Sequence, residues 1–337
     1  MKITVLIPAR NEEATIQRCI ESVLNQSRQA NQIIVVDDAS TDNTLKILKK
    51  YTKKALILSL NASTGHKSHA QEYGMRYVKG GIVITTDADT VLHPDFVKNI
   101  VKKFDDKNVI ACAGQVKSMN HNILTACRQI EYTIGQEIHK LAQTHINALF
   151  VIPGCAAAFR TKEFKKHIEF DHDTLTEDLD FTYKHHRKNL KIGFANDAIV
   201  YTEDPSTVRD YVTQLRRWYG GNWQNLIKHK KVLNKPNNAF ELSIIFFEGI
   251  IFPFLLLLAL IFNLKVFLFY YLSYTVVVSI FAVYCAYKDK RVDVLLAAPI
   301  HLFVSFINYA IFIEQFVKEV LLRKNNLIWI QPRRRIA

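Results

Sequence analysis

The chain has 337 residues, with 44 Lys and Arg against 31 Asp and Glu, and therefore a formal net charge of +13. A basic chain favours nucleic acid, anionic lipid or an anionic small substrate as its partner. No basic stretch carries the interleaved aromatics of a nucleic-acid-binding motif, so we expect no nucleic-acid partner. The five cysteines are scattered, with no CxxC pair and no histidine at metal spacing. This pattern excludes a disulfide framework or a cysteine zinc site and indicates reduced thiols in the cytosol.

The first half of the sequence alternates short apolar runs with amphipathic stretches. We predict strands over 3–7, 33–36, 55–60 and 82–86, and intervening helices over 12–26, 41–51 and 69–78. Apolar strands that alternate with helices are typical of a mostly parallel α/β sheet covered on both faces. Ligands of such sheets bind beyond the carboxyl ends of the strands. The residues at those ends are 8–13, 37–42, 61–67 and 87–90.

The elements after Asp95 are predicted more coarsely. They are a helix over 94–103, a strand over 109–116, a helical stretch over 123–149, a return to the sheet over 151–160, and helices that begin near Thr176 and Val208.

A strongly apolar region begins at residue 239. Its three segments, 239–262, 264–287 and 294–313, are each long enough as helices to cross a bilayer core of about 30 Å. The basic loop 288–291 is expected in the cytosol, and whether the third segment crosses stays open. We predict a catalytic domain over 1–235 with interfacial helices near its end, a membrane region over 239–322 and a basic tail over 323–337.

Asp87 and Asp89 follow the apolar strand 82–86. Carboxylates two residues apart on an extended chain point to the same side, so both can reach one ligand. A hard cation such as Mg²⁺ prefers carboxylates together with phosphate oxygens, and this is how a nucleotide diphosphate is commonly held. The alternative interpretation is an acidic turn that closes the strand.

Three other polar groups each allow a functional and a structural interpretation. Asp37 and Asp38 could accept hydrogen bonds from a ribose or a base, while Ser40 or Thr41 caps the next helix. Asp178 could act as a general base, or the run 176–178 could be a capped helix start. The pair His185 and His186 is interpreted as a solvated helix face.

Gln214, Arg217 and Trp218 stand at positions i, i+3 and i+4, so they share one face of a helix. Arginine can clamp a diphosphate, and tryptophan offers a flat surface to a sugar ring. The alternative is an amphipathic helix that lies on the membrane.

Together these motifs resemble the family 2 glycosyltransferases, in the membrane synthase branch that includes cellulose, chitin, hyaluronan and poly-N-acetylglucosamine synthases. The matching motifs occur in the family's order, and they are residues 8–13, 35–42, 86–89, 153–154, 176–178, and 214 with 217–218. The ending with Trp329 and Arg333 is also similar. The chain departs from the family pattern after Lys67, because Glu72 stands where asparagine is usual.

The resemblance implies a GT-A fold and an inverting, metal-dependent transfer of a hexose from a nucleotide-sugar, expected to be a UDP-sugar. Asp178 is implied as the base and Asp89 as the ligand of Mg²⁺ or Mn²⁺. The implied donor-binding residues are Pro8, Ala9, Arg10, Glu12, Asp37, Asp38, Lys67, Asp87, Gln214, Arg217 and Trp218. The implied acceptor-binding residues are Gly154, Glu177 and Trp218.

The resulting hypothesis is an enzyme of the cytoplasmic membrane whose catalytic domain faces the cytosol and builds a β-linked polysaccharide or oligosaccharide. The expected partners are the donor, a carbohydrate or lipid-linked acceptor, membrane lipids, and a second copy or an accessory membrane subunit. One alternative is the transfer of a single sugar to a polyprenyl-linked acceptor. The motif at 214–218 makes this alternative less favoured. The other is an inactive subunit that binds a nucleotide-sugar.

Overall fold

The computed structural model describes residues 1–63, 65–168 and 170–324, so Trp329, Arg333 and most of the predicted basic tail lie outside the described residues. The chain divides into two compact units. Among the described residues, the first unit comprises 1–117 and 143–203, and the second comprises 118–142 and 204–324. The apolar helices after residue 235 therefore share a unit with 118–142 and 204–235.

The first unit is built on a sheet. Its strands are β1 Ile3–Ala9, β2 Gln32–Asp37, β3 Leu56–Ser59, β4 Ile82–Thr85, β5 Thr90–Leu92, β6 Val109–Ser118, β7 Ala157–Arg160 and β8 Lys191–Thr202. They form one eight-stranded sheet in the order β3-β2-β1-β4-β7-β6-β8-β5.

Strands β1 to β4 are parallel, with Leu6 of β1 opposite both Ile34 of β2 and Thr85 of β4. The predicted parallel α/β arrangement is therefore confirmed, and the four strand ends lie at one edge of the sheet. β7 runs antiparallel to β4 and β6, and β5 runs antiparallel to β8. β5 and β8 were not predicted from the sequence.

In chain order the helices are α1 Ile16–Leu24, α2 Thr44–Leu48, α3 Lys67–Met75, α4 Phe96–Lys102, α5 Ile123–Ile134, α6 Leu141–His145, α7 Thr161–His167, α8 Glu177–Arg187, α9 Val208–Lys228, α10 Pro236–Phe246, α11 Phe252–Phe262, α12 Leu264–Asp289, α13 Asp293–Ala297 and α14 His301–Phe316. Helices α1–α4, α7 and α8 belong to the first unit, α5 and α9–α14 belong to the second, and α6 spans the boundary. π-Helical turns at 135–140 and 247–251 join α5 to α6 and α10 to α11.

Burial of the apolar strand residues explains why the first unit folds around this sheet. Leu6, Ile34 and Val83 are fully buried, and they belong to a cluster that also includes Phe159 of β7 and Phe181 of α8. Complete burial of one such side chain stabilises the fold by roughly 1.5–3 kcal/mol. This packing fixes the strand ends on which the candidate site is built.

Two helices among the described residues are long and apolar enough to cross a membrane, by length and composition. They are Pro236–Phe262, which is continuous through the π-helical turn, and Leu264–Asp289. The third predicted segment, 294–313, is instead divided between α13 and α14. Within the second unit, α14 packs on α9, where the Trp223 indole N–H donates to the carbonyl of Phe312 at 3.3 Å.

Candidate active site

Lys67, the first residue of α3, joins two of the predicted motifs. Its Nζ atom lies 2.5 Å from Oδ1 of Asp87, which follows β4, and 2.9 Å from Oε1 of Glu177, the first residue of α8. Burial acts to lower the pKa of Lys67, but the two carboxylates outweigh it, so the pKa is raised and the ammonium stays charged. Burial raises the pKa of Asp87, and Lys67 opposes that rise.

Asp178 stands beside this ion pair at the N-terminus of α8. Its Oδ2 accepts a hydrogen bond from the backbone N–H of Gly154 at 3.2 Å, and its Oδ1 accepts one from the N–H of Leu179 at 2.8 Å. Burial raises the pKa of Asp178 to about 6, and the Glu177 carboxylate acts in the same direction. Thr176 occupies the N-cap position, without a side-chain capping hydrogen bond.

Gly154 begins a 3-10 turn just before β7, and it lies against the same side chains. The Thr85 hydroxyl at the end of β4 donates to the carbonyl of Gly154 at 3.1 Å. A Cβ atom at residue 154 would lie 2.9 Å from Nζ of Lys67 and 3.7 Å from Cβ of Asp178. A small pocket is lined by Gln71, Thr85, Ile152, Gly154, Ala157, Phe159, Glu177, Asp178 and Phe181. The base candidate therefore opens to a space next to the ion pair.

The two acids after β4 differ in their surroundings. The Asp87 side chain is one-third exposed, at 33 %, whereas Asp89 is buried, and its Oδ1 accepts a hydrogen bond from the Thr90 hydroxyl at 3.1 Å. Both offer carboxylate oxygens, the ligand type that Mg²⁺ and Mn²⁺ prefer. The residue types after β4 therefore fit a divalent ion.

The donor-binding residues predicted at the ends of β1 and β2 lie next to one another. Asp37 and Asp38 are buried; the Ser59 hydroxyl donates to Asp37, and the N–H of Asp38 donates to the carbonyl of Ala9 at 2.8 Å. Pro8 and Ala9 lie inside β1, and Arg10 follows it. The Glu12 N–H donates to the Thr44 hydroxyl at 2.7 Å.

The predicted helix cap at Ser40 or Thr41 is wrong. α2 begins at Thr44 and its N-cap residue is Asn43. Ser40 and Thr41 instead bind Asn11 of the neighbouring loop: the Asn11 N–H donates to Oγ of Ser40 at 3.0 Å, and the Thr41 N–H donates to Oδ1 of Asn11 at 2.8 Å. These side chains tie the two loops together, and a contact across loops leaves no local signal in the sequence.

Gln214, Arg217 and Trp218 lie on α9 in the second unit. The Trp218 ring makes a cation–π contact within its own unit, because Cζ of Arg128 lies 4.5 Å from the ring centroid. Arg128 is buried and pairs with Glu131 at 2.9 Å. Sequence reasoning missed Arg128, which stands in a helix with no motif around it.

The predicted solvated face at His185 and His186 is wrong, because both side chains are buried. Nδ1 of His185 donates to the carbonyl of Phe181 at 2.6 Å, and Nε2 of His186 donates to the carbonyl of Leu149 at 2.7 Å. Burial lowers the pKa of His185 to about 4. The pair is part of the packing beneath α8.

The chain is similar in sequence to a known family and to curated proteins. A sequence model of the family described as Glycosyl transferase family 2 matches residues 4–165. Hyaluronan synthase from Streptococcus pyogenes is 24% identical over 253 residues, which cover 70% of this chain and 60% of that protein. Poly-beta-1,6-N-acetyl-D-glucosamine synthase from Staphylococcus aureus (strain COL) is 27% identical over 253 residues, which cover 74% of this chain and 61% of that protein. The chain thus spans about 60% of the length of these curated relatives.

Two solved structures share the fold. The mannosyltransferase PcManGT from Pyrobaculum calidifontis, in complex with GDP-Man and Mn²⁺, has a TM-score of 0.65 at 19% identity and covers 96% of this chain and 88% of its own. A crystal structure of S. aureus TarS has a TM-score of 0.53 at 18% identity and covers 96% of this chain and 92% of its own. The predicted GT-A fold is confirmed.

Proposed function

We propose that the chain transfers a sugar from a nucleotide-sugar to an acceptor hydroxyl, because residues 4–165 match the sequence model of glycosyl transferase family 2. The observation that carries the proposal is the position of Lys67 between Asp87 and Glu177. It brings the acidic end of β4 and the start of α8 into one cluster, although 90 residues separate them in sequence. A cation beside a carboxylate base is an arrangement suited to an anionic donor and a neutral acceptor.

Asp178 is the proposed general base. Its carboxylate takes the proton of the acceptor hydroxyl while that oxygen attacks the anomeric carbon. The bond from this carbon to the diphosphate oxygen breaks, and the nucleoside diphosphate leaves with the electron pair. Attack from the side opposite to the leaving group inverts the anomeric configuration. A base whose pKa is about 6 is ionised at neutral pH and still close to the working pH, which favours proton transfer.

Asp89 is the proposed ligand of a divalent ion, Mg²⁺ or Mn²⁺, and Asp87 is proposed to contact the nucleotide. Such an ion, when bound, neutralises charge on the diphosphate. The complex of PcManGT with GDP-Man and Mn²⁺ supports a nucleotide-sugar donor and a divalent ion. Lys67 supplies a further positive charge at the same end of the sheet. The roles of Asp37 and Asp38 in donor binding, and of Gln214, Arg217 and Trp218, stay predictions.

The proposed product is a β-linked polysaccharide or oligosaccharide made at a membrane from a UDP-sugar. Two relatives are named as synthases of hyaluronan and of a poly-N-acetyl-D-glucosamine, which favours a polymer over a single transfer. The two apolar helices expose large side chains such as Phe262, 80 % exposed, and Phe269, 69 % exposed. Lipid is the environment that suits these surfaces, with the basic loop 288–291 in the cytosol.

The test is a transfer assay on the full chain in nanodiscs. A panel of UDP-sugars and GDP-mannose is supplied with Mg²⁺ or Mn²⁺, and nucleoside diphosphate release is measured. Asp178→Asn is expected to bind the donor as the wild type does and to lose about 10²–10⁴-fold in kcat. Asp105→Asn, an exposed acid of the same unit, is the matched control and should keep full activity.

The pH profile gives an independent measurement. Because protonated Asp178 cannot accept a proton, kcat/KM of the wild type should fall as pH falls below about 6. Full activity of Asp178→Asn would overturn the assignment. The length of the products by mass spectrometry separates a polymerase from a transferase that adds one sugar to a lipid.

A further inference from the structure

A second cluster of metal-binding side chains lies in the first unit. His69 and Glu72 stand three residues apart on α3, so they share a helix face, and His172 comes from the segment before α8. One ligand atom from each of the three residues lies within 4.8 Å of the other two. None of these residues has a role in the proposed transfer, and 100 residues separate Glu72 from His172.

The ring of His172 is held with one nitrogen facing the cluster. Its Nε2 lies 3.2 Å from Oε2 of Glu72, and its Nδ1 lies 2.7 Å from Oγ of Ser68. The ring stacks on that of His69, with centroids 3.4 Å apart. Histidines that bind metals usually have their other nitrogen hydrogen-bonded, which fixes the ring orientation. A hydroxyl both donates and accepts, so Ser68 supports His172 with or without a metal.

We propose that His69, Glu72 and His172 bind a divalent transition metal ion, with zinc as the first candidate. Two imidazole nitrogens and one carboxylate oxygen are a common zinc ligand set that leaves a fourth position for water, whereas Mg²⁺ and Ca²⁺ prefer oxygen ligands. Ligands about 2.1 Å from a tetrahedral ion lie roughly 3.4 Å apart, so ligand atoms that are up to 4.8 Å apart must close by up to about 1.4 Å. The stacked rings of His69 and His172 must also turn, so that both nitrogen lone pairs point at the ion. All three are partly exposed and have room to do so. An anion is disfavoured because Glu72 would repel it.

An ion bound at this cluster would affect the candidate active site, because both elements that carry its ligands lead to that site. α3 begins with Lys67, and the segment that carries His172 leads to Glu177 and Asp178. An ion that binds both elements would restrain Lys67 against Glu177. The proposed site therefore acts on positioning, and it is separate from the ion proposed at Asp89.

The test measures Zn²⁺ binding to the full chain without donor or acceptor, so its result does not depend on the proposed function. Metal-free protein is titrated with Zn²⁺ by calorimetry, and with Co²⁺ by visible absorption. We expect Asp89→Asn to bind one Zn²⁺ per chain at this site. His172→Ala and Glu72→Gln in the same background should each weaken that binding at least ~10-fold and change the Co²⁺ spectrum. Zn²⁺ should raise the Tm of Asp89→Asn and leave the Tm of Asp89→Asn with His172→Ala unchanged.

The matched control is His167→Ala, also in the Asp89→Asn background. His167 pairs with Glu163 four residues away on α7, with Nε2 3.3 Å from Oε2, and this pair offers only two ligands. The His167→Ala variant should bind Zn²⁺ as strongly as its Asp89→Asn parent. Glu72→Gln preserves side-chain volume on a half-exposed helix face, so it serves where His172→Ala fails to fold. Lack of saturable Zn²⁺ binding, or binding that both site variants retain in full, overturns the proposal.

Discussion

The Nζ atom of Lys67 lies 2.5 Å from Oδ1 of Asp87. The same ammonium holds down the pKa of Asp178, against burial and Glu177, which raise it. Lys67→Gln should therefore move the acid limb of the pH profile to higher pH by about one unit. It should also lower kcat/KM about 10- to 100-fold at neutral pH, because a charged hydrogen-bonding partner of the carboxylates and of the proposed diphosphate is lost.

Lys98→Gln is the matched control for this prediction. Nζ of Lys98 lies 3.7 Å from Oδ1 of Asp95 in an exposed pair on α4, whose loss should leave both the rate and the pH profile unchanged. An acid limb that stays in place in Lys67→Gln would show that Lys67 does not set the charge state of Asp178.

The site could be predicted from the sequence where local pattern and sheet geometry act together. The apolar run 82–86 predicted β4, and the rule that ligands bind at strand ends directed attention to Asp87 and Asp89 beyond it. β5 could not be found in this way, because three residues are too few for a period-two pattern, and its pairing with β8 joins distant parts of the chain.

The interpretation of His185 and His186 as a solvated helix face was wrong. It rested on the absence of a partner for the pair at metal spacing. The structure buries both rings because backbone carbonyls accept their N–H groups, and the carbonyl for His186 is 37 residues away. The cluster of His69, Glu72 and His172 was also missed, because its members come from two distant segments and therefore show no regular spacing in the sequence.

Gly154→Ala tests whether the site tolerates a methyl group beside the ion pair. The new Cβ would approach Nζ of Lys67 to 2.9 Å and Oε1 of Glu177 to 3.4 Å, so the flexible Lys67 side chain must move. We expect kcat/KM to fall at least ~10-fold while the Tm changes little, since the backbone at residue 154 is not in the left-handed region. Gly135→Ala is the control, because a Cβ there meets nothing within 4 Å. Equal activity of the two variants would contradict the prediction.

His185 makes the stability of the first unit sensitive to pH. Burial lowers its pKa from 6.5 to about 4. Between those values the unfolded chain binds a proton that the folded chain does not, so this side chain makes the folded state less stable as pH falls from about 6.5 to about 4. His185→Asn keeps an N–H near the Phe181 carbonyl and removes the titration, worth up to about 3 kcal/mol.

The measurement is the Tm from pH 7.5 to 4.5, compared as a difference between each variant and the wild type. The Tm of His185→Asn should decrease less on acidification than the wild-type Tm. His167→Asn is the control, since the His167 ring is partly exposed and paired with Glu163. Parallel curves for His185→Asn and the wild type would refute the assignment of the buried ring as the titrating group.

Trp218 is predicted to stabilise the second unit as well as to contact substrate. The guanidinium of Arg128 lies between aromatic rings, with Cζ 4.5 Å from the Trp218 centroid and 5.1 Å from that of Tyr132, and the Arg128 side chain is only 7 % exposed. Trp218→Ala removes an aromatic ring that contacts the buried guanidinium of Arg128, and it should lower the free energy of unfolding by about 2 kcal/mol. Trp218→Phe retains a ring and should lose less.

The two substitutions separate the structural role from the predicted contact with substrate. A sugar contact requires the indole surface itself, so Trp218→Phe should lower kcat/KM while its Tm stays near that of the wild type. If Trp218→Phe kept full activity and only Trp218→Ala lost stability, the ring would serve Arg128 alone. Loss of a favourable aromatic partner of a buried guanidinium should lower the free energy of unfolding. If Trp218→Ala were as stable as the wild type, the contact between Trp218 and Arg128 would therefore contribute nothing to stability.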